Sequence, residues 1–329
     1  MTDELLLEVR NLTQYFERPV SWLERVFGGK QQKSRVVHAV NGVSFAVRRG
    51  EVFGLVGESG CGKSTTARTV VGLLPPKGGE ILFASKDITG LSGAKLTPLR
   101  RKIQMVFQNP YASLDPRQRI EDILTEPILF HESVSRADAR ERAMALLDKI
   151  GLHRDQARRY PHQFSGGQRQ RIAIARALAT GPELVVADEP VSALDVSVQA
   201  QILNLMMDLK DEFDLSYLFI AHDLSVVRHV ADRLAVMYLG FVVESGSSEE
   251  VFERPLHPYT VALLDAAPSL AKKSKSVPLT GDAPSPVNLP PGCPFASRCP
   301  KSRPECETER PTLREVSESS GRLLACHQQ

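Results

Sequence analysis

The sequence predicts an α/β fold, in which helices cover both faces of a mainly parallel β-sheet. Residues 184–187 and 215–220 are short apolar runs typical of buried strands, and a segment of helical periodicity separates them. Parallel strands need crossover helices of this kind. The content of hydrophobic residues is 42% and that of charged residues is 24%, as in an ordinary globular protein.

The N-terminal part of the chain predicts an antiparallel β edge to this sheet core. Residues 5–16 begin with alternating apolar positions typical of an edge strand, and residues 36–48 return to a strand pattern. Residues 17–35 break the pattern and contain the only tryptophan, Trp22. They favour a surface insertion with a short amphipathic helix. The alternative is a segment that contacts a partner or the membrane surface.

A glycine-rich loop joins a predicted strand at residues 51–56 to a predicted helix at residues 65–74. It fits the pattern G-x-x-x-x-G-K-[ST], in which backbone N–H groups and the positive end of the helix dipole face nucleotide phosphates. We expect Lys63 to meet the β- and γ-phosphates and the Ser64 hydroxyl to ligate Mg²⁺. The loop consists of Gly57, Glu58, Ser59, Gly60, Cys61, Gly62, Lys63, Ser64 and Thr65. Within it, Cys61 is expected to be a small packing residue.

A helical segment interrupts the alternation of strands and helices. The sequence is helical from about residue 117 to 160, where Ser135 and Asp138 form a candidate capping box and Gly151 stands at a helix end. A predicted strand at residues 103–107 precedes this segment. We therefore place an inserted α-helical subdomain at about residues 109–165.

Two adjacent acidic residues follow the buried strand at 184–187. Asp188 is expected to lie near the magnesium ion of Ser64, because nucleotide hydrolysis needs a carboxylate there. Glu189 is expected to be the general base for the attacking water. The alternative is that the two acids merely begin a helix at Pro190.

Together these motifs resemble the ATP-binding subunit of an ABC transporter over roughly residues 5–260. The diagnostic segment, Phe164-Ser165-Gly166-Gly167-Gln168, is similar to the family signature LSGGQ, with Phe in place of Leu. The resemblance implies a P-loop NTPase (RecA-like) core with ATP and Mg²⁺ as cofactors. Ser165, Gly166 and Gly167 form a second anion site at a helix N-terminus, which in this family closes on the ATP of another subunit. One chain would thus hold two half-sites.

The same resemblance implies roles for single residues. Gln108 matches the Q-loop, which ligates magnesium and senses the membrane partner. Asp195 lies in the segment that matches the D-loop, and His222 matches the switch histidine that contacts the γ-phosphate. The family also places an aromatic residue against adenine near the end of the first strand, where Phe16 is the best match and Tyr15 the second.

The C-terminal region narrows the resemblance to oligopeptide and dipeptide importers. Residues 254–260, RPLHPYT, are similar to the HPYT segment of their ATPases. We therefore expect an ATPase domain at residues 1–260 and an extension at residues 261–329. The loop GESGCGKST, with an insertion before it, is most similar to the F-type subunit.

The resemblance to an F-type subunit implies several partners. They are a second, D-type ATPase in a heterodimer, two transmembrane permease subunits and an extracytoplasmic substrate-binding protein. The chain would act as a peripheral protein on the cytoplasmic face of the inner membrane, since no apolar run approaches the ~18 residues of a membrane span. We expect no nucleic-acid partner, because the net charge is only +2.

The tail contains four cysteines with the spacing C-x5-C-x6-C-x19-C. These residues are Cys293, Cys299, Cys306 and Cys326. The chain shows no export signal, which argues against disulfides, and zinc sites favour closer cysteine pairs. The count and the Cys-Pro pairs suit a 4Fe-4S cluster, which some members of the resembling family carry. Free structural thiols are the alternative.

The expected function is ATP hydrolysis coupled to the uptake of di- and oligopeptides. Nickel, glutathione and certain sugar importers share the extension, so another cargo is the first alternative. A soluble ABC ATPase acting on nucleic acid or ribosomes is less favoured, because the chain has one ATPase domain and no long zinc or coiled-coil module. A non-catalytic assembly factor is disfavoured because Lys63, Glu189 and His222 are all present.

Overall fold

The computed structural model describes residues 4–18, 35–266, 284–316 and 321–328. The predicted insertion with Trp22 lies outside the described residues. The chain divides into two compact units. The first unit contains residues 1–6, 47–52 and 91–221, and the second contains residues 7–46, 53–90 and 222–329.

The strands are β1 (Leu5–Arg18), β2 (Arg35–Arg48), β3 (Val52–Val56), β4 (Gly78–Phe83), β5 (Lys86–Asp87), β6 (Ile103–Val106), β7 (Leu184–Asp188), β8 (Ser216–Ala221), β9 (Arg233–Tyr238), β10 (Phe241–Ser247), β11 (Arg314–Glu315) and β12 (Leu323–Leu324). The α-helices are α1 (Lys63–Val70), α2 (Thr97–Lys102), α3 (Pro110–Ser113), α4 (Ile120–His131), α5 (Arg136–Lys149), α6 (Gly166–Leu178), α7 (Val196–Phe213), α8 (Leu224–Val230), α9 (Ser248–Glu253), α10 (Pro258–Ala266) and α11 (Pro304–Thr308). No helix among these described residues is long and apolar enough to cross a membrane.

The first unit contains the parallel strands β6, β7 and β8, with β7 in the middle. Val106 pairs with Ala187, and Asp188 pairs with Ile220. Every residue of β7 and β8 is buried, as expected for parallel strands covered on both faces. Because parallel strands end at the same edge of the sheet, Gln108 after β6 and Glu189 after β7 emerge together.

The predicted helical subdomain consists mainly of α4 and α5, which pack against each other in the first unit. Ser135 caps α5, since its hydroxyl accepts the N–H of Asp138 at 3.1 Å. The predicted capping box is only half formed. The Asp138 carboxylate accepts the Ser135 hydroxyl proton at 2.7 Å rather than the Ser135 backbone N–H. Gly151 follows α5 with a φ of +71°, the conformation expected at a helix end.

The second unit contains the parallel pair β3 and β9, and β10 continues this sheet as the antiparallel partner of β9. The sequence of residues 233–245 predicts a hairpin that turns at Gly240. The antiparallel pairing of β9 with β10 and the φ of +82° at Gly240 confirm it. The two short tail strands extend the same sheet, because β12 pairs with β10 and β11 pairs with β12. A separate antiparallel sheet has the strand order β2-β1-β4-β5, which is the predicted antiparallel part of the fold.

Candidate nucleotide site

The phosphate loop follows the fully buried strand β3 in the second unit. Gly57, Gly60 and Gly62 have φ values of +154°, +83° and +109°, which residues with a Cβ rarely adopt. A Cβ at Gly57 would overlap the carbonyl oxygen of Met237, and one at Gly62 would overlap that of Ala39. The turn therefore requires all three glycines, and the closeness of neighbouring backbone additionally requires Gly57 and Gly62.

Lys63 is held against the carbonyl groups of its own loop. Its Nζ donates to the oxygen of Gly57 at 2.7 Å and to that of Glu58 at 2.9 Å, and the residue is only 4% exposed. Since Lys63 also begins α1, the ammonium group and the positive end of the helix dipole lie together. This arrangement can bind a phosphate group.

Cys61 packs inside the phosphate loop. The side chain is 5% exposed, and burial raises the pKa of its thiol. Its Sγ lies 3.8 Å from Nζ of Lys63. A buried neutral thiol fits the expected packing role.

Two residues of the C-terminal region hold Glu58, the second residue of the loop. The N–H of Glu58 donates to Oη of Tyr259 at 2.9 Å. The Glu58 carboxylate accepts both terminal nitrogens of Arg298, at 2.9 Å and 3.1 Å. Sequence reasoning missed both partners. Tyr259 served only as a family marker in the HPYT segment, and nothing in the local sequence marks Arg298.

The two aromatic candidates for stacking on adenine differ in exposure. Phe16 is 38% exposed, whereas Tyr15 is half-buried, with its ring centroid 6.3 Å from that of His38. Neighbouring side chains on a strand point to opposite faces. Only one of the two can therefore lie on the nucleotide side, and the preference for Phe16 stays a prediction.

His222 follows β8 and is exposed, and it precedes a well-capped helix in the second unit. The cap is Asp223, whose carboxylate accepts the N–H of Ser225 at 2.8 Å. The switch role of His222 rests on the family motif and stays a prediction.

In the first unit, the structure brings Gln108 and Glu189 together. The Gln108 amide donates from Nε2 to Oε2 of Glu189 at 2.9 Å. Glu189 has a φ of +49°, which is uncommon for a residue with a side chain, and its N–H donates to the Ile220 oxygen at 3.0 Å. Asp188, at the end of β7, is only 2% exposed. A strained backbone at the base of an acidic pair is typical of functional sites.

The signature segment begins α6 in the first unit. The Ser165 hydroxyl accepts the Gln168 N–H at 3.4 Å, and Gln168 Oε1 accepts the Ser165 N–H at 3.1 Å, which makes a capping box. Phe164 is 4% exposed, so the apolar residue in place of Leu is buried. A Cβ at Gly167 would come within 2.5 Å of a methyl group of Val198. The exposed Ser165 and the first N–H groups of α6 can meet an anion.

Arg169 supports the turn before the signature, and sequence reasoning did not single it out. This residue is 8% exposed, and it donates to the carbonyl oxygens of Pro161 at 2.6 Å and His162 at 3.1 Å. Its guanidinium lies 4.1 Å from the centre of the Tyr111 ring. Arg169 thus fixes the approach of the chain to Ser165.

Asp195 occupies the N-cap position of α7, but its side chain makes no capping hydrogen bond. Asp is a preferred N-cap residue, so the sequence also predicts that the Asp195 carboxylate caps this helix. That expectation was wrong. The N–H of Val198 donates to the main-chain oxygen of Asp195 at 2.9 Å, so a capping carboxylate is not needed there. The segment is held by Gln199, whose Nε2 donates to the oxygens of Val191 and Leu194 at 3.0 Å each.

The four tail cysteines are all free and lie in the second unit. Burial, with a smaller contribution from the nearby thiols of Cys306, Cys326 and Cys299, raises the pKa of Cys293 to about 11. The described residues include no group of three or more His, Cys, Asp or Glu side chains positioned to hold a metal ion. The expected ligand set therefore has no support here beyond the proximity of the four thiols.

The chain matches two protein-family models. Residues 40–192 match the family described as ABC transporter. Residues 243–306 match the one described as oligopeptide/dipeptide transporter, C-terminal region. The second match includes the HPYT segment and three of the tail cysteines.

Curated relatives match nearly the whole chain. The oligopeptide transport ATP-binding protein AppF of Bacillus subtilis is 49% identical, over 98% of this chain and 97% of that protein. The dipeptide transport ATP-binding protein DppF of Haemophilus influenzae is 48% identical, over 99% of both chains. The oligopeptide transport ATP-binding protein OppF of Salmonella typhimurium is 47% identical, over 94% of this chain and 93% of that protein.

Solved structures agree with this assignment. A dimeric structure of the bacterial ABC transporter cassette MJ0796 is 29% identical, with a TM-score of 0.63, and the match covers 74% of this chain and 99% of that one. CbiO1 of Clostridium perfringens, described as part of an ABC transporter complex, is 27% identical, with a TM-score of 0.64, over 77% of this chain and 92% of that one. The chain therefore belongs to the family of ATP-binding subunits of oligopeptide and dipeptide ABC transporters.

Proposed function

We propose that this chain binds and hydrolyses ATP as a subunit of a membrane importer, and that hydrolysis drives the uptake of di- and oligopeptides. The observation that carries this proposal is the similarity to peptide-transport ATP-binding proteins over 94–99% of the chain, which includes the C-terminal region. The phosphate-binding geometry around Lys63 supports the ATPase part. It says nothing about cargo, which rests on the relatives alone.

The residues of the motifs have distinct proposed roles in hydrolysis. Lys63 and the backbone of the loop bind the phosphates, and His222 contacts the γ-phosphate. Glu189 accepts a proton from the attacking water, with its carboxylate oriented by the Gln108 amide. Mg²⁺, when bound, neutralises charge on the phosphate oxygens. The proposed ligands of this ion are Ser64, Gln108 and Asp188.

The signature segment has its proposed role in a pair of ATPase subunits. Ser165, Gly166, Gly167 and Gln168 would contact the ATP that a second ATPase holds, and Asp195 would lie beside them. We propose that this second subunit is a D-type ATPase and that the pair is a heterodimer. The positive end of the α6 dipole and the exposed Ser165 support the anion-binding part of this role.

In the proposed assembly, this chain lies at the membrane surface and does not cross the membrane. Its further partners are two transmembrane permease subunits and an extracytoplasmic substrate-binding protein. We place the chain on the cytoplasmic face of the inner membrane as a peripheral protein, because ATP is supplied on that side.

We also propose that the tail thiols bind a 4Fe-4S cluster, which would supply a redox-active or structural centre apart from ATP hydrolysis. The other three thiols each contribute to raising the pKa of Cys293, and this proximity supports the proposal. Iron and acid-labile sulfide should then accompany anaerobically purified protein, in a ratio of about four each per chain. Their absence, together with four thiols that react freely with a maleimide, would leave the cysteines as structural thiols.

Purification from native membranes in mild detergent tests the transport role. Two multi-span subunits and a second ATPase should co-purify with the tagged chain. The complex, reconstituted in vesicles with the binding protein, should take up labelled dipeptides and oligopeptides only when ATP is present. A complex that instead imports nickel, glutathione or a sugar would overturn the peptide assignment. Co-purification with ribosomes or only soluble partners would overturn the transport role.

A further inference from the structure

Glu58 places a negative charge inside a loop that has to bind the negatively charged phosphates of ATP. The backbone and the side chain of this residue have opposite effects on phosphate binding. The backbone is part of the phosphate-binding loop, whereas the carboxylate would repel the phosphates. Both groups have partners from the C-terminal region, in the same unit as the loop.

Arg298 makes a two-pronged ion pair with the Glu58 carboxylate. The distances are 2.9 Å from Nη1 to Oε2 and 3.1 Å from Nη2 to Oε1. The Arg298 side chain is 7% exposed and that of Glu58 is 29% exposed, so water screens the pair only partly. Paired guanidinium and carboxylate groups of this geometry fix orientation as well as charge.

The Arg298 side chain is positioned before it reaches Glu58. It lies in a short turn at Ala296–Arg298, where its N–H donates to the Phe295 oxygen at 3.0 Å. Phe295 is fully buried, and its ring centroid lies 5.3 Å from that of Tyr238 and 5.4 Å from that of Tyr259. Little conformational freedom is therefore lost when the ion pair forms.

Tyr259 makes the second connection to the loop. Its Oη accepts the N–H of Glu58 at 2.9 Å, and the residue is fully buried. The ring packs edge-on against that of Tyr238, with centroids 4.6 Å apart. Tyr259 thus holds the backbone of Glu58, and Arg298 holds its side chain. Tyr259 forms an aromatic cluster with Tyr238 and Phe295, and Nη1 of Arg298 donates to Oη of Tyr238 in this cluster at 3.4 Å.

We propose that the C-terminal region, residues 243–306, braces the phosphate loop through Glu58, with Arg298 and Tyr259 as positioning residues for ATP binding. Arg298 neutralises the carboxylate that would otherwise repel the phosphates, and Tyr259 holds the first turn of the loop. The C-terminal region thereby contributes to the affinity for ATP without contacting it. This inference rests on the proposed function only in taking ATP as the ligand.

The test measures binding of the non-hydrolysable analogue AMP-PNP with Mg²⁺ to the full-length chain by calorimetry. Arg298→Ala should weaken binding about five- to tenfold, because it leaves an unpaired charge beside the phosphates. Tyr259→Phe keeps the ring and removes the acceptor, and it should weaken binding about threefold. The loss in Arg298→Ala should shrink as the salt concentration rises.

Two further variants separate positioning from folding. Arg310→Ala is the matched control, because Arg310 donates instead to the oxygens of Pro290 at 2.6 Å and Gly292 at 3.3 Å, within the tail. It should leave AMP-PNP affinity unchanged. Glu58→Gln removes the carboxylate charge, so the double variant Glu58→Gln with Arg298→Ala should bind AMP-PNP about fivefold more tightly than Arg298→Ala alone.

The outcomes are distinct. Unchanged affinity in Arg298→Ala would overturn the inference, and so would equal losses in Arg298→Ala and Arg310→Ala, because the tail would then act only through its folding. Failure of the Glu58→Gln background to restore binding would remove the charge argument, on which the role of Arg298 depends. A wild-type chain that binds no AMP-PNP would instead refute the proposed ATPase function.

Discussion

At the scale of single residues, Glu189 is the proposed general base. The Gln108 amide orients its carboxylate at 2.9 Å, and its backbone adopts a left-handed conformation directly after the buried strand β7. Glu189→Gln keeps the size of the side chain and its hydrogen-bonding capacity but cannot accept a proton. We expect this variant to bind ATP normally and to hydrolyse it ~10² to 10⁴-fold more slowly.

The measurement for Glu189→Gln is phosphate release by the assembled complex, with nucleotide binding measured on the same preparation. Glu183→Gln is a suitable control, since that acid is paired with Arg49 and Lys102 and lies at the opposite end of β7. Turnover near the wild-type rate in Glu189→Gln would assign the base role to another group.

His257 provides a pH-dependent contribution to stability. It is 1% exposed, and burial lowers the pKa of its imidazole to about 4. The unfolded chain, with an ordinary histidine pKa near 6.5, binds the proton more tightly than the folded chain. The stabilisation is therefore complete above pH 6.5 and is lost as the pH falls toward 4. By pH 5 we expect this group to cost about 2 kcal/mol of unfolding free energy.

His257→Asn isolates that effect. Nδ1 of His257 accepts the Tyr259 N–H at 3.1 Å, and an asparagine oxygen can replace this acceptor without titrating. Urea unfolding at pH 7.5 and pH 5.0 should therefore show a smaller loss of stability in the variant than in the wild type. Equal losses in both proteins would mean that His257 is protonated in the folded chain as easily as in the unfolded one.

Single residues could be predicted from the sequence only where a local motif indicates them. Both Lys63 and Glu189 come after buried strands at spacings that nucleotide chemistry requires. Glu189 directly follows β7, and Lys63 begins α1 after the loop that follows β3. Arg298 could not be found in this way, because its partner Glu58 lies 240 positions earlier in the chain. A contact of that kind depends on the packing of the whole second unit.

At the scale of elements, the start of α6 combines a structural cap with a proposed phosphate contact at Ser165. Ser165→Ala should destabilise the protein by about 0.5–1 kcal/mol, at the low end for an N-cap because the hydrogen bond to Gln168 is long, at 3.4 Å. Ser165→Asp keeps a good N-cap but places a carboxylate where we expect the phosphates of the partner's ATP. We expect it to abolish most of the ATPase activity of the complex without loss of stability.

Thermal unfolding and ATPase assays of the two Ser165 variants distinguish the two roles. If Ser165→Asp retains the activity of the wild type, the exposed end of α6 does not meet a phosphate. If it instead unfolds at a lower temperature than Ser165→Ala, the capping argument fails.

Elements with a strong pattern of their own were predicted well. The buried strands β7 and β8 and the hairpin at Gly240 appear where apolar runs and turn residues place them. The N-cap of α7 was predicted wrongly. The main-chain oxygen of Asp195 accepts the N–H group that its carboxylate was expected to accept. The two-residue strands β11 and β12 have no pattern that could reveal them, since β12 exists only through pairing with β10 and β11 only through pairing with β12.

At the scale of the whole chain, the end of the C-terminal tail is tied back to the sheet of the second unit by a buried ion pair. Arg322 Nη2 lies 2.6 Å from Oε1 of Glu244, with side-chain exposures of 4% and 0%. The Glu244 carboxylate also accepts the N–H groups of Leu256 at 3.0 Å and His257 at 2.9 Å. One acid on β10 thus holds both the segment before α10 and the last strand of the tail.

Removal of Arg322 should consequently affect far more than the last residues. Arg322→Met keeps most of the side-chain volume but leaves the buried charge of Glu244 without its cation, and we expect a loss of about 3–5 kcal/mol in unfolding free energy. Arg314→Met, on the adjoining exposed strand β11, should cost less than about 0.5 kcal/mol. Urea unfolding of both variants gives the comparison.

Adding Glu244→Gln to Arg322→Met should recover part of the loss, because the amide carries no charge and can still accept one of the two N–H groups. If Arg322→Met is as mild as Arg314→Met, then the tail does not stabilise the sheet, and deletion of the chain after β11 should be equally harmless.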